Sequence, residues 1–502
     1  MMLAGEILTP SSDKEAIAFE DGECHSYVGL STLADRFANF FRGLGLDSGD
    51  RVSFLCANDP LLVAGYFGAF RSGLIANPLN NRLTPSELAY ILNHAQSRCV
   101  VVSPEFTEQL NATLPLLNEK PEILAIRTQD DLPFAAHSEE HVGAAPAELQ
   151  PSWSPDPNDG ALLIYTSGTT GMPKGVLLSH HNIVSAVSYV RRGFEIGPED
   201  RTLCVMPQFH TNGLMFSTLP FLAAGGTVIL RRRFSATRFW AQCRDNRVNS
   251  FSASPTILAF LLEHEANAPP LEQINLKYVK VASAPTSVDL ANRFENRFGK
   301  GLLLETFGLT ETTAISTMNP LHGPRKFGSI GSALEPQEVR IADEEGRWLP
   351  PETVGEICIR GETVMKEYFR DPDSTAKSIR DGWLRTGDLA RMDSDGFVYM
   401  VGRAKEIIVR GGENISPLEI EDVVARCPGV REAAVIGIPD PMWGEIVGLC
   451  IATDKSLTKD EVIGHCREHL SDFKIPQVVR FVDELPRNAM GKVTKRRLNE
   501  LF

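Results

Sequence analysis

Short apolar runs alternate with helical patterns through the first four hundred residues. Val52-Ser53-Phe54-Leu55-Cys56 leads into an apolar stretch that predicts a helix near 60–72. Val100-Val101-Val102 precedes a helical pattern near 107–117, Thr227-Val228-Ile229-Leu230 one near 235–247, and Phe251-Ser252-Ala253 one near 255–265. Such alternation predicts α/β layers with mainly parallel sheets. Near residue 400 the texture changes. Phe397-Val398-Tyr399-Met400-Val401 reads as a strand, followed by a helix near 417–427, a strand near 432–438 and a helix near 458–470. The last hundred residues or so suffice for a compact α+β domain. The pattern therefore divides the chain into a large, multi-lobed α/β domain over 1–402 and a small domain over 403–502. The polar, proline-rich stretch near 144–159 reads as a linker between lobes of the larger part.

Composition narrows the class. A chain of 502 residues with 43% hydrophobic and 23% charged content can bury a large core without disulfides. Nine cysteines, an odd number with no Cys-x-x-Cys pair, argue for a reducing compartment, taken as cytoplasmic. The net charge of −14 argues against a nucleic-acid partner. Residues 403–502 hold 15 Lys and Arg against 16 Asp and Glu, so the first 402 residues carry −13 of that total. The end of the chain, with Arg487, Lys492, Lys495, Arg496 and Arg497, is thus relatively basic and suits anionic ligands. The start, Met1 to Glu15, lacks the basic and apolar segments of a signal peptide. The longest uncharged stretch, between Arg201 and Arg231, contains Pro207, His210, Asn212, Pro220 and Gly225-Gly226. It reads as a strand, loop, helix and strand, with no integral membrane association. His137 and His141 have helical spacing but sit in a polar stretch and read as surface residues.

Candidate chemistry concentrates in Tyr165-Thr166-Ser167-Gly168-Thr169-Thr170-Gly171-Met172-Pro173-Lys174-Gly175. Glycine-freed backbone N–H groups, hydroxyls and one ammonium make a cradle for phosphate oxygens. The run joins two apolar segments, Ala161–Tyr165 and Val176–Leu178, so it links two strands. Its spacing is not that of a Walker loop, because Lys174 is followed by Gly175. Downstream, Glu305-Thr306-Phe307-Gly308-Leu309-Thr310-Glu311 pairs an aromatic ring with glycine and then a hydroxyl with a carboxylate. The ring can stack on a purine and the carboxylate can hold Mg²⁺; a strand end with a turn is the competing reading. Trp383-Leu384-Arg385-Thr386-Gly387-Asp388 places a carboxylate at what reads as a strand–turn end, suited to ribose hydroxyls or simply to a turn. Arg403 can bridge ribose and phosphate, and the turn at Gly411-Gly412 permits close approach of an elongated ligand.

These five segments, closing with Pro486-Arg487-Asn488-Ala489-Met490-Gly491-Lys492, resemble the ordered motifs of the adenylate-forming superfamily, which includes acyl-CoA synthetases, peptide-synthetase adenylation domains and firefly luciferase. The resemblance spans nearly the whole chain, although the family more often has Tyr where this chain has Phe307. It implies an ATP- and Mg²⁺-dependent enzyme that activates a carboxylic acid as an acyl-adenylate and passes it to the thiol of CoA. Loading of a carrier-protein phosphopantetheine is the alternative acceptor, and luciferase-type oxygenation a third reading. Carried over by residue, it makes Lys492, Glu311, His210 and Thr166 catalytic, with Glu311 the metal ligand. Thr166, Ser167, Gly168, Thr169, Thr170, Gly171 and Lys174 would hold phosphates. Ser283, Ala284, Phe307, Gly308, Thr310, Asp388 and Arg403 would contact the nucleotide, and Gly411 and Gly412 the pantetheine channel. Lys405 would be the hinge of a mobile C-terminal domain. His210, Asn212, Ser252, Ser283 and Thr306 would line the acyl pocket, whose small polar residues imply a short, medium or polar acid. Peptide-synthetase domains usually place an aspartate where this chain has His210, which disfavours an amino acid. A narrower likeness to oxalate-type ligases covers Gly402 to Glu413 and Lys495-Arg496-Arg497. Those enzymes commonly carry His-x-His where this chain has His210-Thr211-Asn212.

Overall fold

The computed structural model describes residues 2–9, 12–128, 136–149, 155–166, 172–284, 286–453, 456–487 and 493–502. The α/β alternation is present as expected. Among the described residues, one sheet has nine strands, in the order Ser332–Ala333, Thr317–Met318, Leu303–Phe307, Tyr278–Val281, Ser250–Ala253, Arg201–Cys204, Thr227–Leu230, Glu15–Ala18 and Cys24–Ser26. Its run from Leu303–Phe307 to Glu15–Ala18 is parallel, and antiparallel pairs close both edges. A second sheet of eight strands runs from Glu367–Tyr368 through Lys174–Ser179, Gly160–Thr166, Ile75–Pro78, Arg51–Leu55, Ser97–Val102 and Glu122–Ala125 to His137–Ser138. It is parallel from Gly160–Thr166 onward.

The helices Tyr27–Gly43, Pro60–Arg71 and His180–Gly193 supply much of the largest apolar cluster, which also takes in residues of both sheets. Pro60–Arg71 is buried on nearly every side, which is why its sequence lacks a polar face. The uncharged stretch between Arg201 and Arg231 is a strand, a loop, a seven-residue π-helix Asn212–Thr218, the short helix Leu219–Ala223 and a strand. The order matches the sequence reading, but the π geometry was not foreseen; such turns recur at functional sites.

One expectation needs correcting. The α/β alternation does not extend to residue 400. Glu338–Ala342, Gly355–Arg360, Trp383–Met392, Ile379–Arg380 and Val398–Arg403 form an all-antiparallel third sheet. Apart from the short helix Pro372–Ser378, its strands follow one another through irregular connections, and neighbours joined in that way pair antiparallel. Beyond it, Glu413–Ile415, Ile408–Arg410, Gly444–Thr453 and Val430–Asp440 pair antiparallel, Val478–Val482 joins in parallel, and helices Pro417–Val424 and Lys459–His469 pack on this fourth sheet around their own apolar cluster.

The two large sheets are tied by charge. Asp59, 1% exposed, caps helix Pro60–Arg71 through the Leu61 amide at 2.9 Å. Its carboxylate receives Arg127 Nη2 from the second sheet's side and Arg232 Nη2 from the first, both at 3.0 Å. Arg127 also donates to Glu23 and Arg232 to Glu105, and both guanidiniums lie over the Phe19 ring. Removing one partner of such a buried group leaves the others uncompensated. We therefore predict that Asp59→Ala lowers unfolding free energy by about 3 kcal/mol or more, whereas Asp59→Asn, which keeps the helix cap, costs about 1 kcal/mol less. Urea denaturation of the three proteins checks this; equal midpoints would remove the charge lock from the account of the fold.

Candidate active site

Strands Gly160–Thr166 and Lys174–Ser179 pair antiparallel, with Thr166 opposite Lys174. The phosphate-cradle reading thus falls on a hairpin whose two base residues are described, while Ser167, Gly168, Thr169, Thr170 and Gly171 lie outside the described residues. Lys174 Nζ donates to Ser374 Oγ at 2.6 Å, stands 3.9 Å from Asp371 Oδ2 and lies 5.0 Å from the centre of the Tyr368 ring. The same Tyr368 donates its hydroxyl to Glu311 Oε1 at 2.8 Å. Burial and the Glu311 carboxylate push the Tyr368 phenol well up, so it remains a donor. One ring therefore brings together the lysine of the hairpin and the carboxylate of the second motif.

Glu311 sits on the single 3₁₀ turn Thr310–Thr312 after strand Leu303–Phe307. The turn folds back hard on the chain: a Cβ on Gly308 would stand 1.8 Å from the Ala314 carbonyl oxygen. Only glycine fits there, which gives the aromatic–glycine pair a physical reason. Thr310 is half-buried beside Glu311, and Phe307, partly buried, packs against the apolar face of the third sheet. Glu305, on the same strand, is 7% exposed, and burial pushes its carboxyl up to about 7.

Four of the residues expected to line the acyl pocket, His210, Asn212, Ser252 and Ser283, form one hydrogen-bonded group. Ser252 Oγ donates to Asn212 Oδ1 at 2.6 Å, and Asn212 Nδ2 donates to Ser283 Oγ at 3.2 Å. The Asn212 amide donates to His210 Nδ1 at 3.2 Å. Burial holds the imidazole down at about 4, so it is neutral at pH 7 with its proton on Nε2. Ser252 is the last residue but one of its parallel strand, Asn212 opens the π-helix, and Ser283 follows strand Tyr278–Val281 at φ +78, a strained backbone for a serine. The three residues meet near the carboxyl edge of the sheet, where open α/β folds bind ligands. Ala284 beside Ser283 is exposed. Thr306 is buried, and its hydroxyl donates to the Val281 carbonyl at 3.0 Å, which turns its donor toward the neighbouring strand.

Asp388 departs from the sequence reading in one respect: it lies inside strand Trp383–Met392, not at a strand–turn end. The strand continues because Gly387, at φ +75, absorbs an irregularity next to it. Asp388 is 2% exposed and pairs in register with Arg403, whose Nε lies 2.9 Å from its Oδ1. Lys405 follows on a 3₁₀ turn, Ala404–Glu406. Gly411 and Gly412, both at positive φ (+59 and +93), form the exposed turn between strands Ile408–Arg410 and Glu413–Ile415. Lys492 lies outside the described residues, but both its flanks are held: Arg487 pairs with Val493, and the Thr494 amide donates to the Pro486 carbonyl at 2.8 Å. Lys495 bonds Glu406 and Glu421 at 3.2 and 2.9 Å, which ties the tail to the segment beside Lys405.

Two residues of interest were missed in the sequence, Tyr368 and Lys280. Tyr368 lies on a two-residue edge strand with no periodicity, and Lys280 in an apolar run whose pattern gives no hint of a fully buried ammonium. His137 and His141 belong to no potential metal-holding group among the described residues.

This arrangement is that of an adenylate-forming enzyme. The family model of the AMP-binding enzymes matches residues 8–369, and that of the AMP-binding enzyme C-terminal domain matches 419–492, so the chain belongs to the AMP-binding enzyme family. It is similar to sulfoacetate–CoA ligase of Cupriavidus necator, 38% identical across 95% of this chain and 93% of that one. It is also similar to oxalate–CoA ligase of Arabidopsis thaliana, 32% identical across 98% and 96%. The fold superposes on ATP-bound MatB from Rhodopseudomonas palustris with TM-score 0.91 and 31% identity, covering 100% of this chain and 99% of that one. The protein is an AMP-forming acid–thiol ligase that uses ATP, a carboxylic acid and CoA. No described helix is long and apolar enough to cross a membrane.

Tyr368 makes a direct prediction. Tyr368→Phe deletes one hydrogen bond to a charged acceptor and keeps the ring beneath Lys174. Such bonds contribute about 2 kcal/mol, so kcat/KM for ATP should fall roughly thirtyfold with the fold intact. Pyrophosphate release at varied ATP and Mg²⁺ reads this, and unchanged kinetics would remove Tyr368 from the site.

Proposed function

We propose that this ligase acts on a short acid bearing a second polar or anionic group. The observation that carries this reading is the Asn212-centred group with Ser252, Ser283 and His210. A pocket lined with hydroxyl and amide groups penalises a long alkyl chain, which would leave their remaining hydrogen-bonding capacity unmatched. The similarity to a sulfoacetate and an oxalate ligase supports the same class.

In the reaction we infer, the run from Thr166 to Lys174 holds the outer phosphates of ATP. Asp388 accepts the ribose hydroxyls, and Arg403 keeps it oriented. Glu311 fits a hard cation, because its carboxylate is fixed by the Tyr368 hydroxyl while the same Tyr368 ring carries the lysine of the hairpin. Mg²⁺ there would supply charge neutralisation at the phosphates. Lys492 contacts the acid carboxylate and the α-phosphate as charge redistributes between them, which is where a preorganised cation lowers the barrier. The small domain, 403–502, then turns about Lys405, removing Lys492 and bringing Gly411-Gly412 to the acyl-adenylate for CoA attack. Turning domains of this kind are hinge motions and can limit turnover. A reducing, cytoplasmic setting fits the nine free cysteines, of which only Cys24 is exposed.

ATP–pyrophosphate exchange across short polar, aromatic and medium-chain acids tests the reading. Exchange should require one short polar acid and fall at least 100-fold in Lys492→Ala, a loss on the scale of deleting a transition-state charge contact. Exchange with medium-chain acids alone would overturn the substrate class, and exchange unaffected by Lys492→Ala would overturn its role. Adding CoA should then give the thioester; a product formed only with a carrier protein would transfer the acceptor role to that partner.

A further inference from the structure

Lys280 occupies the centre of strand Tyr278–Val281 with no exposed surface. Its Nζ donates to the Phe216 carbonyl at 2.8 Å. It lies 4.6, 4.9 and 5.6 Å from the ring centres of Phe216, Phe221 and Phe194. Aromatic faces attract a cation but bring no net charge. Among the described residues, the one titratable group that acts on Lys280 is the Cys204 thiol, which burial pushes up to about 11 and so keeps neutral. Among the described residues the ammonium therefore has no carboxylate partner, and burial pushes it down to about 7, so near neutral pH it holds its proton only in part. Burying such a cation is costly, and a well-packed apolar residue would stabilise the fold as well or better.

Its location suggests what offsets the cost. Lys280 is the register partner of Ser252 on the neighbouring parallel strand. Ser252 bonds Asn212 at the start of the π-helix, and Lys280 bonds Phe216 four residues further along that helix. One helical turn, roughly 5 Å of rise, separates the two contacts. Three residues beyond Lys280, Ser283 accepts from Asn212. The unneutralised charge thus lies directly behind the polar group that faces the acyl pocket.

We propose that Lys280 is the counter-charge for a second anionic group on the acid substrate, acting through its field beneath Asn212 rather than by contact. It is a positioning residue that selects dianionic short acids over monoanionic acids of equal size. The inference rests on the acid occupying the pocket assigned above. Two charges about 10 Å apart in a protein-like dielectric differ in binding on the order of tenfold when one is removed.

The test compares sulfoacetate with methylsulfonylacetate, which keeps the skeleton and loses one charge. Pyrophosphate release gives kcat/KM for both acids in the wild type, Lys280→Gln, Lys280→Met and Lys280→Arg. Glutamine retains a donor for the Phe216 carbonyl, so it guards against simple misfolding, and arginine retains the charge. The wild type and the arginine variant should prefer sulfoacetate. The glutamine and methionine variants should lose about tenfold on sulfoacetate while methylsulfonylacetate stays within about twofold. An equal loss on both acids would make Lys280 a structural prop of the π-helix and overturn the proposal, as would an unchanged preference. A wild type that activates other acids but neither of these would overturn the substrate reading itself, a result distinct from a preference that ignores Lys280.

Discussion

Asn58 and Asp59, adjacent at the entry to helix Pro60–Arg71, set the relation on which the site depends. Asp59 draws Arg127 and Arg232 together from opposite sheets. Asn58 donates to the carbonyls of Met206 and Arg231 at 3.0 and 2.9 Å and accepts from the Gln208 amide at 2.8 Å. One short segment of the second sheet's lobe therefore grips the loop of the first sheet that leads to His210 and the π-helix. Both residues are almost fully buried, and their polar atoms are matched by partners whose replacement by water is not available. The phosphate hairpin belongs to the second sheet, and Asn212, Ser252, Ser283 and Glu311 belong to or follow strands of the first. Without a rigid join the two halves of the chemistry would have no fixed distance, and effective catalysis needs reacting groups held near contact separation.

The join leaves one element exposed to both halves. Strand Glu367–Tyr368 pairs with Lys174–Ser179 of the second sheet, yet Tyr368 reaches Glu311, which hangs from the first. The Met365 amide adds a backbone bond to the Glu311 carbonyl at 2.8 Å. The segment just before the third sheet's longest strand is thus a bracket across the cleft. Its leverage comes from position: a small displacement there changes the Lys174–Glu311 relation more than the same displacement within either sheet, where ladder bonds resist it.

Much of this was legible in the sequence, for identifiable reasons. The strand–loop–strand setting of the phosphate hairpin followed from two apolar runs flanking glycine, and that signal survives any tertiary context. The small domain announced itself as a change of period near residue 400. The third sheet was hidden because its strands read as the same short apolar runs, and nothing in an apolar run reports the direction of its neighbour. Asp388 was misplaced because Thr386-Gly387 reads as a turn, whereas the structure uses Gly387 to bend a strand without ending it. The acyl-pocket group was named from a resemblance; its hydrogen bonds link residues 40 and 71 positions apart, beyond any local pattern. Tyr368 and Lys280 carried no signal at all, since one sits on an edge strand of two residues and the other inside an apolar run.

The distribution of charge around the cleft explains why substrate choice falls to so few residues. On the proposed reading, ATP brings several negative charges, which Lys174, Arg403 and the lysine of the tail would meet on the nucleotide side. A second anion on the acid would add to that load on the far side, where His210 is neutral and the pocket hydroxyls carry only dipoles. Dipoles fix orientation at short range but fall off faster than a full charge, so they cannot by themselves separate an anion from a neutral group of the same shape. A cation in the pocket wall would do so by contact, but it would also bind phosphate and invite the nucleotide into the wrong subsite. A cation one layer deeper avoids that difficulty. Lys280, packed among aromatic rings and bonded to the π-helix that begins at Asn212, is inaccessible to phosphate oxygens, and on the proposal above it acts through its field rather than by contact. On that proposal, the cost of burying the ammonium is offset when an acid with a second negative charge is bound, and that difference is what would separate the two kinds of acid.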